Sequence, residues 1–219
     1  MSDIFREVDD EVRQQKLEAL WKKYGNVLIA CAVLLVAAVG AWRFYQHKQQ
    51  LAAEQSAEKY EAAIDLAKTG KSLEAEDAFN ILKKDGTKTY TVLAQFRNAA
   101  EVSKRDIAAA VKLYDSLASD SAVEPMLQSL ARFRAASLLS DSISLDDLNA
   151  RIGIIAVSGN PWRNSARELL GLAKFKVGDL SAASSYFEQI ALDPDTPASM
   201  RERAQLLLAQ IRGGQVQIK

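Results

Sequence analysis

The residues that could do covalent or metal chemistry are few, and they lie apart from one another. The chain has one histidine, His47, and one cysteine, Cys31. A Cys–His or Ser–His nucleophile pair needs an imidazole within hydrogen-bond reach of the attacking group. A structural or catalytic metal needs three or four ligands converging on one point. Cys31 sits inside an uncharged run and His47 just beyond it, which leaves the remaining chain without either partner. The adjacent carboxylates Asp146-Asp147 could form an acid–base pair. They follow Ser144 at a predicted helix start, however, where first-turn carboxylates interact favourably with free backbone N–H groups. Gly213-Gly214 lacks the strand and helix of a phosphate loop. Lys83-Lys84-Asp85 reads as solvated charge at a hairpin end. The expectation is a protein that is not an enzyme, with no cofactor and no metal. What is left to carry function is a surface, so the elements that build and place that surface decide the reading.

The first such element is the run 24–42, YGNVLIACAVLLVAAVGAW, which is uncharged between Lys23 and Arg43. As a helix rising ~1.5 Å per residue it would span roughly 28 Å, close to the ~30 Å hydrocarbon core of a bilayer. Trp21 and Tyr24 at one end, and Trp42 and Tyr45 at the other, match interfacial aromatic belts, and Lys22, Lys23 and Arg43 can snorkel to the headgroups. A single transmembrane helix is predicted over 24–45, with Tyr24 and Trp42 as its interfacial anchors. A cleaved signal peptide could use Ala38-Val39-Gly40, but the apolar run is too long and the leader before it carries Asp3, Glu7, Asp9, Asp10, Glu11 and Glu18. A lipoprotein signal at Cys31 would require a polar chain to follow, whereas Ala32 to Trp42 stays apolar. A buried core helix of this length without a charge is uncommon. Before the run, Lys and Arg number five (Arg6, Arg13, Lys16, Lys22, Lys23). After it, over the same length, they number three (Arg43, Lys48, Lys59). The bias places the N-terminus in the cytoplasm and the larger part of the chain across the membrane.

Lys plus Arg equal Asp plus Glu at 28 each, so no basic footprint points to nucleic acid. With its one cysteine in the membrane run, the rest of the chain forms no internal disulfide. Four prolines and ten glycines in 219 residues suit a helical protein. The leader 1–23 reads as an amphipathic helix with Phe5, Val8 and Val12 on one face and Leu17, Leu20, Trp21 and Tyr24 continuing it. It could dock a partner or lie at the headgroups. Arg43 to Lys68 contains neither Gly nor Pro and could continue as helix.

The remainder repeats itself. A shift of 35 superposes Ala75, Phe79 and Leu82 on Ala110, Tyr114 and Leu117. A shift of 73 carries Asp106, Ile107, Ala110, Tyr114 and Leu117 onto Asp179, Leu180, Ala183, Phe187 and Ile190. A middle copy is expected between them, in Met126 to Asn160, with its internal register open. Each unit is a helical hairpin, broken at Gly70-Lys71, Lys104-Arg105, Ser140-Asp141 and Gly178-Asp179. Asn160-Pro161 and Thr196-Pro197 are expected as N-cap and first-turn proline. Ser144 with Asp147 resembles a capping box, Pro125 opens a helix and Asp193-Pro194 closes one. Ala198 to Ile211 would cap the stack, and Gly213-Gly214 would release a tail. The fold class is all-α: an N-terminal transmembrane helix, then an α-solenoid of about four hairpins with a capping helix. The boundaries are 1–23 leader, 24–45 membrane helix, 46–212 repeat domain and 213–219 flexible tail. Trp162 and Phe133 could be exposed anchors, but at helical spacing they fit core positions better.

Gly171, Ala183, Phe187 and Pro194 resemble the small, small, aromatic and proline positions of the tetratricopeptide repeat. The resemblance makes Gly171, Ala183 and Phe187, with their copies Ala110 and Tyr114, the packing positions of the repeat. Lys174 stands where that repeat has tyrosine, and Trp162 is off its usual tryptophan position. The leader IFREVDDEVRQQKLEALWKKYG, the anchor ending AWRFYQ and the degenerate repeats together resemble the YfgM-like family of bacterial inner-membrane proteins. That resemblance implies a single-pass inner-membrane protein with a periplasmic repeat domain, acting as an ancillary subunit of the Sec translocon. It implies as partners the translocon, a membrane-anchored peptidyl-prolyl-isomerase-like chaperone, secretory clients and membrane lipid. The residues themselves leave a second reading open, a self-associating envelope scaffold, with Ala37 and Ala41 as a small-residue contact face. They also leave open whether a concave or a convex face binds.

Overall fold

The computed structural model describes residues 2–217, and among these the elements are helical. They are α1 (Ser2–Lys68), α2 (Ser72–Asp85), α3 (Lys88–Val102), α4 (Ile107–Ser119), α5 (Pro125–Leu139), α6 (Leu145–Ile152), a 3₁₀ turn (Gly153–Ile155), α7 (Arg163–Lys176), α8 (Leu180–Leu192) and α9 (Ala198–Gln217). The chain divides into two compact units, 1–55 and 56–219.

The first unit is the greater part of α1. Its apolar side chains face outward: Val33, Leu34, Leu35 and Val36 are all exposed, as are Tyr24 and Trp42. The segment is long and apolar enough to cross a membrane. A water-soluble helix hides such a face, and a lipid-facing helix does not need to. The face expected in the leader from Phe5, Val8, Val12, Leu17 and Leu20 lies outside the residues whose side chains are described.

The second unit is a stack of hairpins: the end of α1 with α2, α3 with α4, α5 with α6, and α7 with α8, closed by α9. The predicted breaks fall between these helices. Gly70 and Gly178 adopt φ of +80° and +83°, a region open to glycine at little cost. In both turns the residue after the glycine donates to a carbonyl five residues back, Lys71 to Leu66 and Asp179 to Lys174, at 3.0 Å. This arrangement satisfies the last carbonyls of α1 and α7. The second helices of three hairpins start on side-chain caps. Asp106, Ser144 and Asp179 accept from the backbone N–H of Ala109, Asp147 and Ala182 respectively.

Three local expectations change. α7 begins at Arg163, so Asn160 is not its N-cap; its Oδ1 accepts from Trp162 N in a turn before the helix. Thr196 does not expose its hydroxyl to α9. It is buried, donates to Ile190 O at 2.8 Å and accepts from Asn164. α9 continues through Gly213-Gly214 to Gln217, because two glycines cost a helix only about 1 kcal/mol each and do not block it.

Four apolar cores run along the stack, each built by one second helix. Phe79 and Leu82 of α2 pack with Ala63 and Ala94. Tyr114 and Leu117 of α4 pack with Ala99, Ala131 and Ala135. Leu148, Ile152 and Ile155 pack with Ala136, Ala166 and Leu170. Ala183, Phe187 and Ile190 of α8 pack with Ala204, Leu208 and Ile211. Large residues on second helices thus meet small ones on the flanking first helices, the nearest-neighbour pattern of a solenoid.

Candidate interaction surface

The positions carried over from the repeat pattern are interior. Ala110 and Tyr114 on α4, and Ala183 and Phe187 on α8, are all buried. Burial also raises the Tyr114 phenol above its ordinary pKa. Gly171 on α7 lies at a close crossing of its hairpin. A Cβ there would lie 2.8 Å from Phe187 Cε1 and 3.2 Å from Tyr186 Cβ. These residues bring the helices together and leave nothing for a partner to touch. Phe133 and Trp162 stack on each other at 6.3 Å against the third core, and the Trp162 indole donates to Met126 O. They are packing residues.

The degenerate middle copy gains a register. Leu148, Ile152 and Ile155 keep the spacing of Ala110, Tyr114 and Leu117 but come 38 residues later, with Leu for the small residue and Ile for the aromatic. The helix carrying them is also short. α6 has 8 residues, against 14 in α2 and 13 in both α4 and α8.

Polar side chains tie each repeat to the next. Arg105 donates through Nε and Nη2 to buried Glu76 at 3.1 and 2.6 Å. Arg151 reaches Asp115, Lys176 reaches Asp141, and Arg203 grips Glu168 with two nitrogens. Lys176 draws the Asp141 carboxyl below the usual range. The densest group joins α7 to the turn after α8. Arg163 donates to both oxygens of Asp193, at 2.6 and 2.8 Å, and to Asp195 at 2.7 Å. Arg167 and Asn164 also donate to Asp193 Oδ2. The Arg163 guanidinium holds the Asp193 carboxyl well below the carboxylate range, against the opposing effect of burial. Asp193 is well shielded, its side chain 9% exposed, and the guanidinium groups of Arg163 and Arg167 that pair with it are 14% and 12% exposed. The sequence shows Asp193 only as a helix stop. Its partner lies 30 residues away, and no local pattern couples the two.

Recesses open on the surface of the stack. One, of about 240 Å³, lies between α3 and the start of α5, with Val92, Leu93, Val123 and Leu127 as its apolar wall. Another, of about 750 Å³, lies between α4 and α6 above α5. Val111, Leu139 and Ile143 form its floor. Lys112, Asp115, Arg132, Asp147 and Arg151 ring it. Sequence reasoning names none of these as surface residues except Asp147, as a cap. The irregular middle repeat supplies one wall of this recess, through Asp147 and Arg151 of its short second helix.

The comparisons with known proteins agree with this architecture. A family described as tetratricopeptide repeat-like domain matches residues 18–213. The chain is similar to the ancillary SecYEG translocon subunit of Escherichia coli (strain K12), with 25% identity over 201 residues that cover 90% of this chain and 93% of that protein. No solved structure matches.

Proposed function

The chain belongs to the tetratricopeptide repeat-like domain family, and from that membership we propose that it is a non-enzymatic, membrane-anchored interaction subunit of the Sec translocon. The observation that carries the reading is the collinear match, over nine-tenths of both chains, to a protein named as an ancillary SecYEG translocon subunit. An apolar helix suited to spanning a bilayer and a stack of hairpins suited to holding polypeptide are the two parts such a subunit requires. In this reading Tyr24 and Trp42 anchor the helix at the interfaces, and the excess of Lys and Arg before it supports a cytoplasmic N-terminus. The repeat domain then works in the periplasm of a bacterial inner membrane, where it recruits a membrane-anchored peptidyl-prolyl-isomerase-like chaperone or emerging secretory clients. Gly171, Ala183, Phe187, Ala110 and Tyr114 act as packing positions that keep the surface in shape.

The outer face of α9 argues against growth of the stack by end-to-end association. Glu202, Gln205 and Gln210 are exposed there, and Leu206 is the large apolar exception. A polar terminal repeat is how a solenoid stays soluble and finite.

Affinity purification from membranes after mild crosslinking tests the function. Translocon proteins are the expected partners, and their consistent absence would sink the proposal. Protease added to intact spheroplasts tests the topology. The repeat domain should be cut from outside; protection until lysis would reverse the orientation and remove the periplasmic role.

A further inference from the structure

We propose that the cleft between α4 and α6 binds an acidic, amphipathic segment of a partner protein, seated with apolar side chains on Val111, Leu139 and Ile143 and carboxylates at Lys112 and Arg132. The inference rests on the protein-interaction reading above and adds the chemistry of a partner and the place where it docks.

Each wall of the cleft contributes one cation: Lys112 from α4, Arg132 from α5 and Arg151 from α6. Arg151 is matched already, since its Nη1 donates to both oxygens of Asp115 at 3.0 and 3.1 Å. The other acid of the rim, Asp147, is engaged by the Ser144 hydroxyl at 2.7 Å and sits in the first turn of α6, where the helix dipole favours it. Arg132 is half-buried and donates from Nη2 to the neutral carbonyl of Ala118 at 3.3 Å. Among the described residues neither Arg132 nor Lys112 has a carboxylate partner. A partly buried guanidinium with only a neutral acceptor gains from an incoming carboxylate, and its planar fork can bind one in bidentate fashion.

The floor selects among anions. A free phosphate would leave Val111, Leu139 and Ile143 uncovered. A flat sheet of lipid headgroups does not enter a recess between three helices. A polypeptide turn carrying Leu-like and Glu-like side chains covers the floor and meets the rim together. The volume, about 750 Å³, is within the ~300–1,000 Å³ of ordinary ligand clefts.

The test uses the full chain in nanodiscs of zwitterionic lipid and a labelled helical peptide with one Leu face and one Glu face, read by fluorescence anisotropy. A peptide with Lys for every Glu is the control. The acidic peptide should bind at least tenfold tighter than the control, with affinity falling as salt rises. K112E/R132E should weaken it at least tenfold. Ala150→Trp, an exposed position at the lip, should do the same by filling the cleft without disturbing the core, and an unchanged melting temperature confirms that it folds. Equal binding of the two peptides, or indifference to both variants, would overturn the proposal. So would displacement of the acidic peptide by phosphatidylglycerol vesicles, which would assign the cleft to lipid. Recovery of translocon proteins by the unaltered chain is scored separately. If the translocon is recovered and the peptide does not bind, the cleft proposal fails and the function stands.

Discussion

Replacing Gly171 by alanine sets two effects of opposite sign against each other, and the geometry decides between them. In a helix interior alanine is favoured over glycine by about 1 kcal/mol, because glycine loses more backbone freedom on folding. The added Cβ would meet Phe187 Cε1 at 2.8 Å, closer than real Cβ contacts occur, and Cζ at 3.1 Å, tighter than most. A flexible surface side chain could yield. Phe187 is 0% exposed, held in the same core as Ala183, Ile190, Ala204 and Leu208. The helices must therefore separate, and overpacking of this kind costs about 1–3 kcal/mol. The net expectation is a loss of roughly 1 kcal/mol, or about 2–4 °C in melting temperature for a unit of this size. Gly213→Ala is the control, since α9 leaves nothing within 4 Å of a Cβ there. It should be neutral or stabilising. In a Phe187→Leu background the obstructing ring edge is gone, so Gly171→Ala should become neutral or favourable, giving a coupling of about 1–2 kcal/mol. Thermal and urea denaturation of the four proteins of the cycle measure this. If Gly171→Ala stabilises the wild-type protein as Gly213→Ala does, or shows no coupling to Phe187, the close crossing is not what requires glycine.

Asp193 sets an acid limit. Its folded-state pKa lies below its unfolded value, so it contributes stability above about pH 4 and loses it as pH falls toward the folded value. Between pH 5 and 3 the melting temperature of the wild-type chain should drop more steeply than that of Asp193→Asn, and parallel curves would contradict the assignment. Ser144→Ala removes the cap of α6 and should cost about 1 kcal/mol, seen as faster hydrogen exchange confined to 145–155. Phe187→Ala should cost about 3–5 kcal/mol by opening a cavity in the last core, and a loss under 1 kcal/mol would mean that the site collapses or that Phe187 is not central.

The helical hairpins were legible because several breaks carried their own chemistry, Gly70 and Gly178 at two turns, Ser144 for a cap and Pro125 for a first turn, whereas the caps at Asp106 and Asp179 emerge only in the structure. The periodic apolar residues gave the buried faces of α2, α4 and α8 by the same logic. Thr196 and Asn160 were misread because a polar residue before proline fits a cap locally. Its actual bond depends on neighbours that sequence does not place, Asn164 for Thr196 and Ser129 for Asn160. The seam of Arg105–Glu76, Arg163–Asp193 and Arg203–Glu168 was invisible for a stronger reason. Each pair spans about one repeat, and charges at that distance in sequence carry no periodicity that separates a partner from a solvated neighbour.

The same one-dimensional construction makes the third hairpin the weak joint. In a solenoid each repeat is held by its own helices and its nearest neighbours, so a deficit in one unit is not shared by the rest. α6 has 8 residues, too few to be stable without packing, and with the turn after it contributes Leu148, Ile152 and Ile155 to the core, with no aromatic ring of its own. The hairpins to either side hold Tyr114 and Phe187 at the equivalent place. Local opening should therefore begin at 145–155, below the free energy of global unfolding. That segment also forms one wall of the cleft, through Asp147, Ala150 and Arg151. A partner that bridges Lys112 on α4 and Arg132 on α5 while packing on α6 would close the joint as it binds. Hydrogen exchange with and without the acidic peptide measures this. Protection should rise in 145–155 and leave α8 and α9 unchanged. A uniform rise across the stack would mean that the hairpins are not independent, and the weak-joint argument would fail.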